Sequence, residues 1–264
     1  MKAKKSFGQH FLKDESISHR IAGLLQLSDQ YQKVLEIGPG KGMLTQYLLD
    51  RTYELVVVEA DRDMVPILKR TFPQLKGQII EGDFLRQDLQ LFFPKGEPFA
   101  IIGNFPYNIS SQILFRLLDY KEQVPELVGM FQKEMAERVV SEPGSKTYGV
   151  ISVLVQAFYE GTYCFTVDRS AFSPPPRVQS AVIRLQRKAD LQLGCDQKLF
   201  KRVVKQAFSQ RRKMLRNTMK SFVKGNEMLG EDFFMQRPER LSVADFVQLT
   251  NRIEEVMNSL KSDD

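Results

Sequence analysis

A short segment near the middle of the chain combines an amide, a rigid turn and an aromatic ring. The apolar run Phe99–Gly103 predicts a buried strand, and the residues that follow it are Asn104, Phe105, Pro106, Tyr107 and Asn108. An amide side chain offers one acceptor and two donors, and proline fixes the turn without an N–H of its own. Tyrosine adds a flat apolar face with a polar tip. Together these groups suit a planar heterocycle with an exocyclic amine. Taken alone, the segment could equally be an ordinary strand-to-helix turn capped by Asn108 or Ser110.

A second motif is a glycine turn between a predicted strand, Val34–Ile37, and a predicted helix. Its glycines, Gly38, Gly40 and Gly42, let the backbone come close to a ligand. The spacing differs from the dinucleotide fingerprint, whose third glycine would fall at Met43, and no Gly-Lys-Ser/Thr follows as in a P-loop. Glycine-rich turns of this kind are common, so the turn alone is a weak signal.

Two acids strengthen that signal because each ends a predicted strand. Glu59 follows the strand Leu55–Val58, where an acid can accept both hydroxyls of a ribose. Asp83 follows the strand Gln78–Glu81, where it can accept from an adenine amine, with Phe84 beside the ring. Each acid alone is more simply a solvated loop carboxylate. Together, after a glycine turn, they indicate a nucleoside ligand without a pyrophosphate.

Strands alternating with helices predict an α/β fold with a parallel sheet, in which ligands bind beyond the carboxyl ends of the strands. All of these motifs lie at such ends. A fifth strand is predicted at Leu127–Phe131. Helices are predicted at Asp14–Leu27, Met43–Asp50 and Met64–Thr71.

The pattern changes after Glu142. A helix is predicted within Tyr148–Phe158, followed by paired strands at Cys164–Val167 and Ala181–Leu185 around a proline-rich loop. Residues 187–196 resemble a linker. We therefore predict two domains, 1–188 and 189–264, the second small and entirely helical.

The helical region has an unusual charge distribution. Lys198–Lys220 contains nine Lys or Arg and no Asp or Glu. A solvated face is the usual explanation of a charge run, but this imbalance on a predicted helix favours phosphate binding. The net charge of +6 also favours an anionic partner.

Composition restricts the remaining classes of protein. The apolar fraction of 42% is that of a globular protein, and no apolar run approaches the roughly 18 residues of a membrane span. The basic start, residues 1–5, leads into polar residues, unlike a signal peptide. The two cysteines, Cys164 and Cys195, are expected to be free thiols in the cytoplasm. With only two histidines, a histidine-based metal site is not expected.

A first group of motifs consists of Glu36–Gly42, Glu59, Asp83 and Asn104–Asn108. A second group consists of Phe7–Leu12, Ser141–Gly149, Phe172–Val178 and Phe208–Lys213. The first group resembles class I S-adenosylmethionine-dependent methyltransferases that act on adenine N6. The second group narrows the resemblance to the rRNA adenine dimethyltransferase family, in the branch that modifies small-subunit RNA. Two residues depart from the family pattern: Phe105 replaces a usual leucine, and His10 replaces a frequent asparagine.

The resemblance implies a Rossmann-like class I methyltransferase domain that uses S-adenosyl-L-methionine, in residues 1–188, and an RNA-binding domain in residues 189–264. The implied reaction is dimethylation of adenine N6 on two adjacent adenosines in the 3′-terminal hairpin loop of 16S rRNA, by a cytoplasmic monomer without a metal. The implied cofactor contacts are His10, Leu12, Gly38, Glu59, Asp83 and Asn104.

The same resemblance assigns the catalytic roles. Asn104 and the backbone carbonyl of Phe105 would accept hydrogen bonds from the N6 amine, beside the rigid Pro106. Tyr107 and Phe172 would stack on the two faces of the base, although Phe172 could instead be a core residue that closes the proline loop. The implied RNA contacts are Arg211, Arg212, Lys213 and Arg216.

Two alternatives to this function remain. One is a large-subunit (23S) rRNA adenine-N6 methyltransferase of the antibiotic-resistance type, against which Arg211–Lys213 and Phe7–Leu12 argue. The other is a small-subunit assembly factor whose catalysis is incidental.

Overall fold

The computed structural model describes residues 10–223 and 226–262. The basic arm expected at the N-terminus lies outside the described residues up to position 9. The strands are β1 (Phe11–Leu12), β2 (Lys33–Ile37), β3 (Glu54–Glu59), β4 (Ile79–Glu81), β5 (Phe99–Asn104), β6 (Glu126–Gln132), β7 (Tyr159–Val167), β8 (Phe172–Ser173) and β9 (Ser180–Arg187). The α-helices are α1 (Glu15–Ala22), α2 (Thr45–Leu48), α3 (Val65–Thr71), α4 (Ser110–Asp119), α5 (Lys133–Val140), α6 (Val150–Gln156), α7 (Gln197–Phe208), α8 (Leu215–Thr218), α9 (Lys220–Val223), α10 (Asp232–Met235) and α11 (Val243–Ser262).

Seven strands form one sheet in the order β4-β3-β2-β5-β6-β9-β7. The first five strands in this order, β4, β3, β2, β5 and β6, run parallel to their neighbours, as expected. The predicted hairpin is confirmed as β7 and β9, and it extends the same sheet antiparallel to β6. Val56 and Val57 point to opposite faces of β3, and both are buried. Burial on both faces explains why the central strands are continuous apolar runs.

The first helix is shorter than expected. α1 begins after Asp14, whose carboxylate accepts a hydrogen bond from the Ser16 amide at 3.0 Å. It ends at Gly23, whose N–H bonds back to the carbonyls of His19 and Ile21. The prediction placed the end of this helix at Leu27 because it considered only the spacing of apolar residues. The sequence pattern also did not predict α4 or α5.

The described chain divides into two compact units. The first runs up to Ala136 and includes Tyr159–Arg187; the second consists of Glu137–Phe158 and the chain from Lys188 onward. This division differs from the expected domains in one segment, 137–158, which was assigned to the N-terminal domain. The segment packs with the C-terminal helices, and the ring of Tyr148 lies 6.2 Å from that of Phe208.

In the helical unit, α7 has clear start and stop signals. The carboxylate of Asp196 accepts from the Leu199 amide at 2.6 Å at its start. Beyond its end, the hydroxyl of Ser209 donates to the carbonyl of Gln206 at 2.7 Å, a bond that competes with helix continuation. The single helix expected from Lys198 to Lys220 is therefore interrupted between α7 and α8.

Candidate active site

The carboxyl ends of the parallel strands open onto a cavity of about 710 Å³ in the first unit. The expected residues that line it are His10, Leu12, Gly38, Glu59, Asp83, Asn104, Phe105, Pro106 and Tyr107. The strand ends thus bring together the glycine turn, both acids and the amide–aromatic segment. A cavity of this size accommodates a drug-sized ligand.

The glycine turn requires glycine for both its conformation and its packing. Gly38, Gly40 and Gly42 have φ angles of +68°, +57° and +84°, a region that other residues rarely occupy. A Cβ at Gly42 would lie 2.1 Å from the ring of Phe72, and one at Gly40 would lie 3.2 Å from the ring of Phe11. The turn therefore presents bare backbone to the cavity.

Glu59 holds this turn in place. Its Oε2 accepts from the Gly40 amide at 2.9 Å, and its Oε1 accepts from the Asp61 amide at 2.8 Å. The residue is 5% exposed, and burial raises its pKa against the effect of these hydrogen bonds. Because each carboxylate oxygen has two lone pairs, Glu59 can accept from a ligand while it orders the backbone.

Glu36 is a member of the site that the sequence analysis did not assign. It lines the cavity and is 1% exposed, and its Oε2 accepts from the hydroxyl of Thr45 at 2.7 Å. Burial raises its pKa to about 8; the Thr45 bond opposes the shift, and the charge of Glu59 adds to it. The sequence did contain a signal for this role, because Glu36 is an acid within an otherwise apolar predicted strand.

Asp83 is held less tightly than Glu59. Its Oδ1 accepts from the Leu85 amide at 3.0 Å, and its Oδ2 lies 3.7 Å from Nε of Arg86. The carboxylate is partly exposed, whereas the neighbouring Phe84 is buried at the cavity wall. This pair can provide an acceptor and an apolar surface to a heterocycle.

Asn104 ends β5 and is oriented by the N-terminal segment. Its Nδ2 donates to the backbone carbonyl of His10 at 3.2 Å. This bond uses one of the two amide N–H groups and fixes the orientation of the side chain, because a carbonyl can only accept. The amide carbonyl of Asn104 thereby becomes a positioned acceptor at the cavity wall.

Phe105 packs below the segment, in space that two glycines leave open. Its ring lies 5.0 Å from that of Phe131. A Cβ at Gly103 or Gly129, on the adjacent strands β5 and β6, would lie 2.7 Å or 2.2 Å from the Phe105 ring. The larger side chain is thus accommodated, and the Phe105 amide still donates to the carbonyl of Met130 at 3.1 Å.

Tyr107 is fixed at both its ring and its hydroxyl. The hydroxyl is 2.5 Å from Oγ of Ser180, and the ring stacks on His10 with 5.4 Å between centroids and 29° between planes. Nδ1 of His10 lies 2.9 Å from the carbonyl of Pro174, which identifies that nitrogen as the protonated one. One face of Tyr107 is therefore covered by His10.

Phe172 does not reach the cavity. β1 pairs with β8 so that Leu12 faces Phe172, and this pairing turns the ring inward to a core cluster that includes Ile21. The ring is 1% exposed and does not line the cavity. The expected stacking role is corrected by this placement: in this structure Phe172 is a core residue, which was the alternative considered for it.

The basic residues expected to contact RNA belong to the second unit. Arg211, Arg212 and Lys213 are exposed in the turn between α7 and α8, and Arg216 is exposed on α8. Arg211 also donates to the carbonyl of Ser145 at 3.2 Å. Within residues 10–223 and 226–262, no helix is long and apolar enough to cross a membrane.

Comparison with known proteins identifies the family. The profile of the ribosomal RNA adenine dimethylase family matches residues 1–255. The chain belongs to this family, which confirms the resemblance inferred from the motifs and the expectation of an rRNA methyltransferase.

Curated relatives match over nearly their whole length. Ribosomal RNA small subunit methyltransferase A of Cytophaga hutchinsonii is 53% identical over 254 residues, covering 96% of this chain and 98% of the relative. The protein of the same name from Flavobacterium johnsoniae is 52% identical, with coverages of 96% and 97%.

Solved structures confirm the class I methyltransferase fold with C-terminal helices. A dimethyladenosine transferase from Plasmodium falciparum is similar with a TM-score of 0.78 and 26% identity, covering 94% of this chain and 98% of that one. The 23S rRNA methyltransferase ErmE is similar with a TM-score of 0.64 and 25% identity, with coverages of 92% and 99%.

Proposed function

We propose that this protein uses S-adenosylmethionine to dimethylate N6 of two adjacent adenosines in the 3′-terminal hairpin loop of 16S rRNA, as a cytoplasmic monomer. The observation that carries the proposal is Asn104, an amide held by His10 at the end of β5 on the wall of a nucleoside-sized cavity. Family membership supports the same reaction class.

The residues of the glycine-turn side fit the cofactor. Bare backbone at Gly38 and Gly40 allows close approach of the amino-acid portion of the cofactor. A Cβ at Gly40 would instead crowd the ring of Phe11. Glu59 has lone pairs left for ribose hydroxyls, and Asp83 with Phe84 can receive the adenine. The cofactor supplies, when bound, a methyl group activated by a positively charged sulfur.

The opposite side acts on the acceptor base. The lone pair of adenine N6 is delocalised into the ring, so the amine is a weak nucleophile. The Asn104 carbonyl, together with the backbone carbonyl of Phe105, accepts hydrogen bonds from the amine and favours a more localised lone pair. Tyr107 stacks on the base, which offsets the few kcal/mol needed to remove it from its own stack. Fixed placement of the amine provides the proximity effect.

The basic residues of the helical unit bind the RNA backbone. Arg211, Arg212, Lys213 and Arg216 are exposed, and phosphate is the anion that arginine forks match well. We assign the choice of base to the cavity and much of the affinity to these contacts. We therefore propose a catalytic role for the first unit, which contains the sheet, and an RNA-binding role for the helical unit.

The names of the relatives support the small subunit as substrate. The relatives at 52–53% identity are small-subunit methyltransferases, whereas the 23S enzyme is 25% identical. Fold similarity alone cannot choose the substrate, since one fold serves many sites.

The test of this proposal is methylation of purified small and large ribosomal subunits from a source that lacks the modification, followed by nucleoside analysis. We expect N6,N6-dimethyladenosine in the small subunit only. Product in the large subunit would support the 23S alternative. Tight binding to small subunits without any methylated product would support a pure assembly factor.

A further inference from the structure

The loop between β8 and β9, residues 173–179, is firmly anchored in the first unit although most of it is exposed. At its start, Ser173 pairs with Phe11 across the β1–β8 ladder. At its end, the carbonyl of Gln179 accepts from the Lys133 amide at 3.0 Å. The next residue, Ser180, meets the hydroxyl of Tyr107. This loop is therefore held at both ends, and it ends next to Tyr107.

The exposed part of this loop combines apolar and cationic groups. Pro174 and Pro175 are exposed, as is Arg177, and Val178 is 46% exposed. Large exposed apolar side chains are few in the described chain, so the position of Val178 near the cavity is distinctive. Exposed apolar groups beside a site are typical of an interaction surface.

A second arginine lies against the first. Nη1 of Arg169, which is also exposed, donates to the backbone carbonyl of Arg177 at 3.4 Å. The neighbouring acid, Asp168, has Oδ1 occupied by the amide and hydroxyl of Ser170 at 2.9 and 2.8 Å. Neither guanidinium lies within salt-bridge distance of an acid in the described part of the chain, although the hydrogen bonds from Ser170, helped by the charge of Arg169, lower the pKa of Asp168. Both can therefore bind an external anion.

We infer that Arg169, Arg177 and Val178 hold the RNA strand that adjoins the target adenosine, with its phosphates on the two guanidinium groups and a neighbouring base on Val178 and the prolines. This inference rests on the proposed function. An adenosine extruded onto Tyr107 remains joined to its neighbours, so phosphates lie within one nucleotide of the base. Guanidinium forks match phosphate geometry, and flat apolar surfaces accept unstacked bases.

The chemistry of the surface favours RNA over a protein or membrane partner. The apolar part is one valine and two prolines, small for the core of a protein interface. The same three side chains also offer little apolar area for insertion into a lipid surface. Two arginines at a loop that ends next to Tyr107 instead match a charged strand that carries heterocycles.

The test compares Arg169→Gln/Arg177→Gln with the wild type and with the matched control Arg51→Gln/Lys95→Gln, whose residues are exposed in the same unit and do not line the cavity. The substrates are native small subunits and small subunits reconstituted with RNA that carries uncharged methylphosphonates next to the target adenosines. We expect the double variant to raise KM for native particles on the order of tenfold for each arginine, with kcat and cofactor affinity preserved. The KM of Arg177→Lys should lie between those of the wild type and the double variant.

The methylphosphonates provide the decisive comparison. Wild type and control should lose affinity when the phosphates are neutralised, whereas the double variant should lose little more. An equal loss in the double variant would overturn the inference while leaving the proposed function intact. A wild type that does not methylate small subunits would overturn both.

Discussion

The two sides of the cavity are built differently. On the glycine-turn side, the functional groups are held by nearby backbone and side chains: Glu59 by the amides of Gly40 and Asp61, and Glu36 by Thr45. On the side of Asn104, they are held by distant parts of the chain, above all by the N-terminal segment at His10. The first side is built at the ends of three neighbouring strands, β2, β3 and β4. The second depends on long-range contacts.

The consequence for binding is that the cofactor side is ordered by local contacts, whereas access to one face of Tyr107 depends on the position of His10. His10 covers one face of Tyr107, so a base that stacks on that face must displace the imidazole. Phe172, which was expected to offer the opposite stacking surface, is locked in the core. Substitutions can test this contrast, beginning with the largest expected effect.

Phe172→Ala should destabilise the fold rather than only weaken base binding. Removing a fully buried phenylalanine costs about 3–5 kcal/mol, and the free energy of unfolding from chemical denaturation measures it. Tyr107→Ala is the matched control, because its half-buried ring should cost far less stability and remove about 1–3 kcal/mol of base stacking. Equal stability of the Phe172 variant and the wild type would show that the ring is not a core residue in solution.

Asn104→Ala should remove catalysis with the fold intact. Loss of a positioned hydrogen-bonding group at a reacting centre lowers kcat by about 10²–10³, and a group that acts on the amine as it reacts affects turnover more than binding. Single-turnover methylation of small subunits measures this, with Asn258→Ala as the control, because this exposed amide on α11 does not line the cavity. A near-normal rate would remove Asn104 from the mechanism.

Glu59→Ala should weaken cofactor binding. Loss of a charged acceptor costs about 1.5–3 kcal/mol, and the turn also loses the bond that orders Gly40. Calorimetry of cofactor binding measures the effect. Glu54→Ala, at the other end of β3, is the control and should bind normally; unchanged affinity in Glu59→Ala would contradict the assigned ribose contact.

Glu36→Gln should change how stability depends on pH. The folded protein keeps a proton on Glu36 up to a pKa of about 8, whereas the ordinary value is 4.5. Between these values the native state binds more protons, so the free energy of unfolding falls as pH rises, by at most about 1.4 kcal/mol per pH unit. The glutamine variant should show a shallower slope between pH 5.5 and 8, with a residual slope from Glu59, whose pKa is also raised. Identical slopes in the variant and the wild type would mean that Glu36 is ionised throughout.

The smallest effect on the cavity should come from the helical unit. Replacing Arg211, Arg212 and Arg216 with glutamine should flatten the dependence of log affinity for small subunits on log salt, by roughly 0.7–0.9 for each phosphate that the variant no longer neutralises. Cofactor affinity should stay unchanged. Salt titrations of wild type and triple variant measure this, and coincident slopes would indicate a solvated face.

The same contrast explains what could be predicted from the sequence. Glu59, Asp83 and Asn104 follow apolar strands, and parallel strand ends meet at one edge, so their convergence followed from local pattern. The burial of Phe172 depends on pairing with Leu12, which lies far away in the chain. The stack of His10 on Tyr107 is equally non-local, and no sequence periodicity reports it.

The most direct test of the account measures cofactor affinity and single-turnover methyl transfer in the same two variants, Glu59→Ala and Asn104→Ala. We expect a crossed result. Glu59→Ala should bind cofactor more weakly yet transfer methyl groups to small subunits when the cofactor is saturating, whereas Asn104→Ala should bind cofactor well and fail to transfer. Parallel loss of both properties in both folded variants would contradict a cavity divided into a cofactor side and a base side.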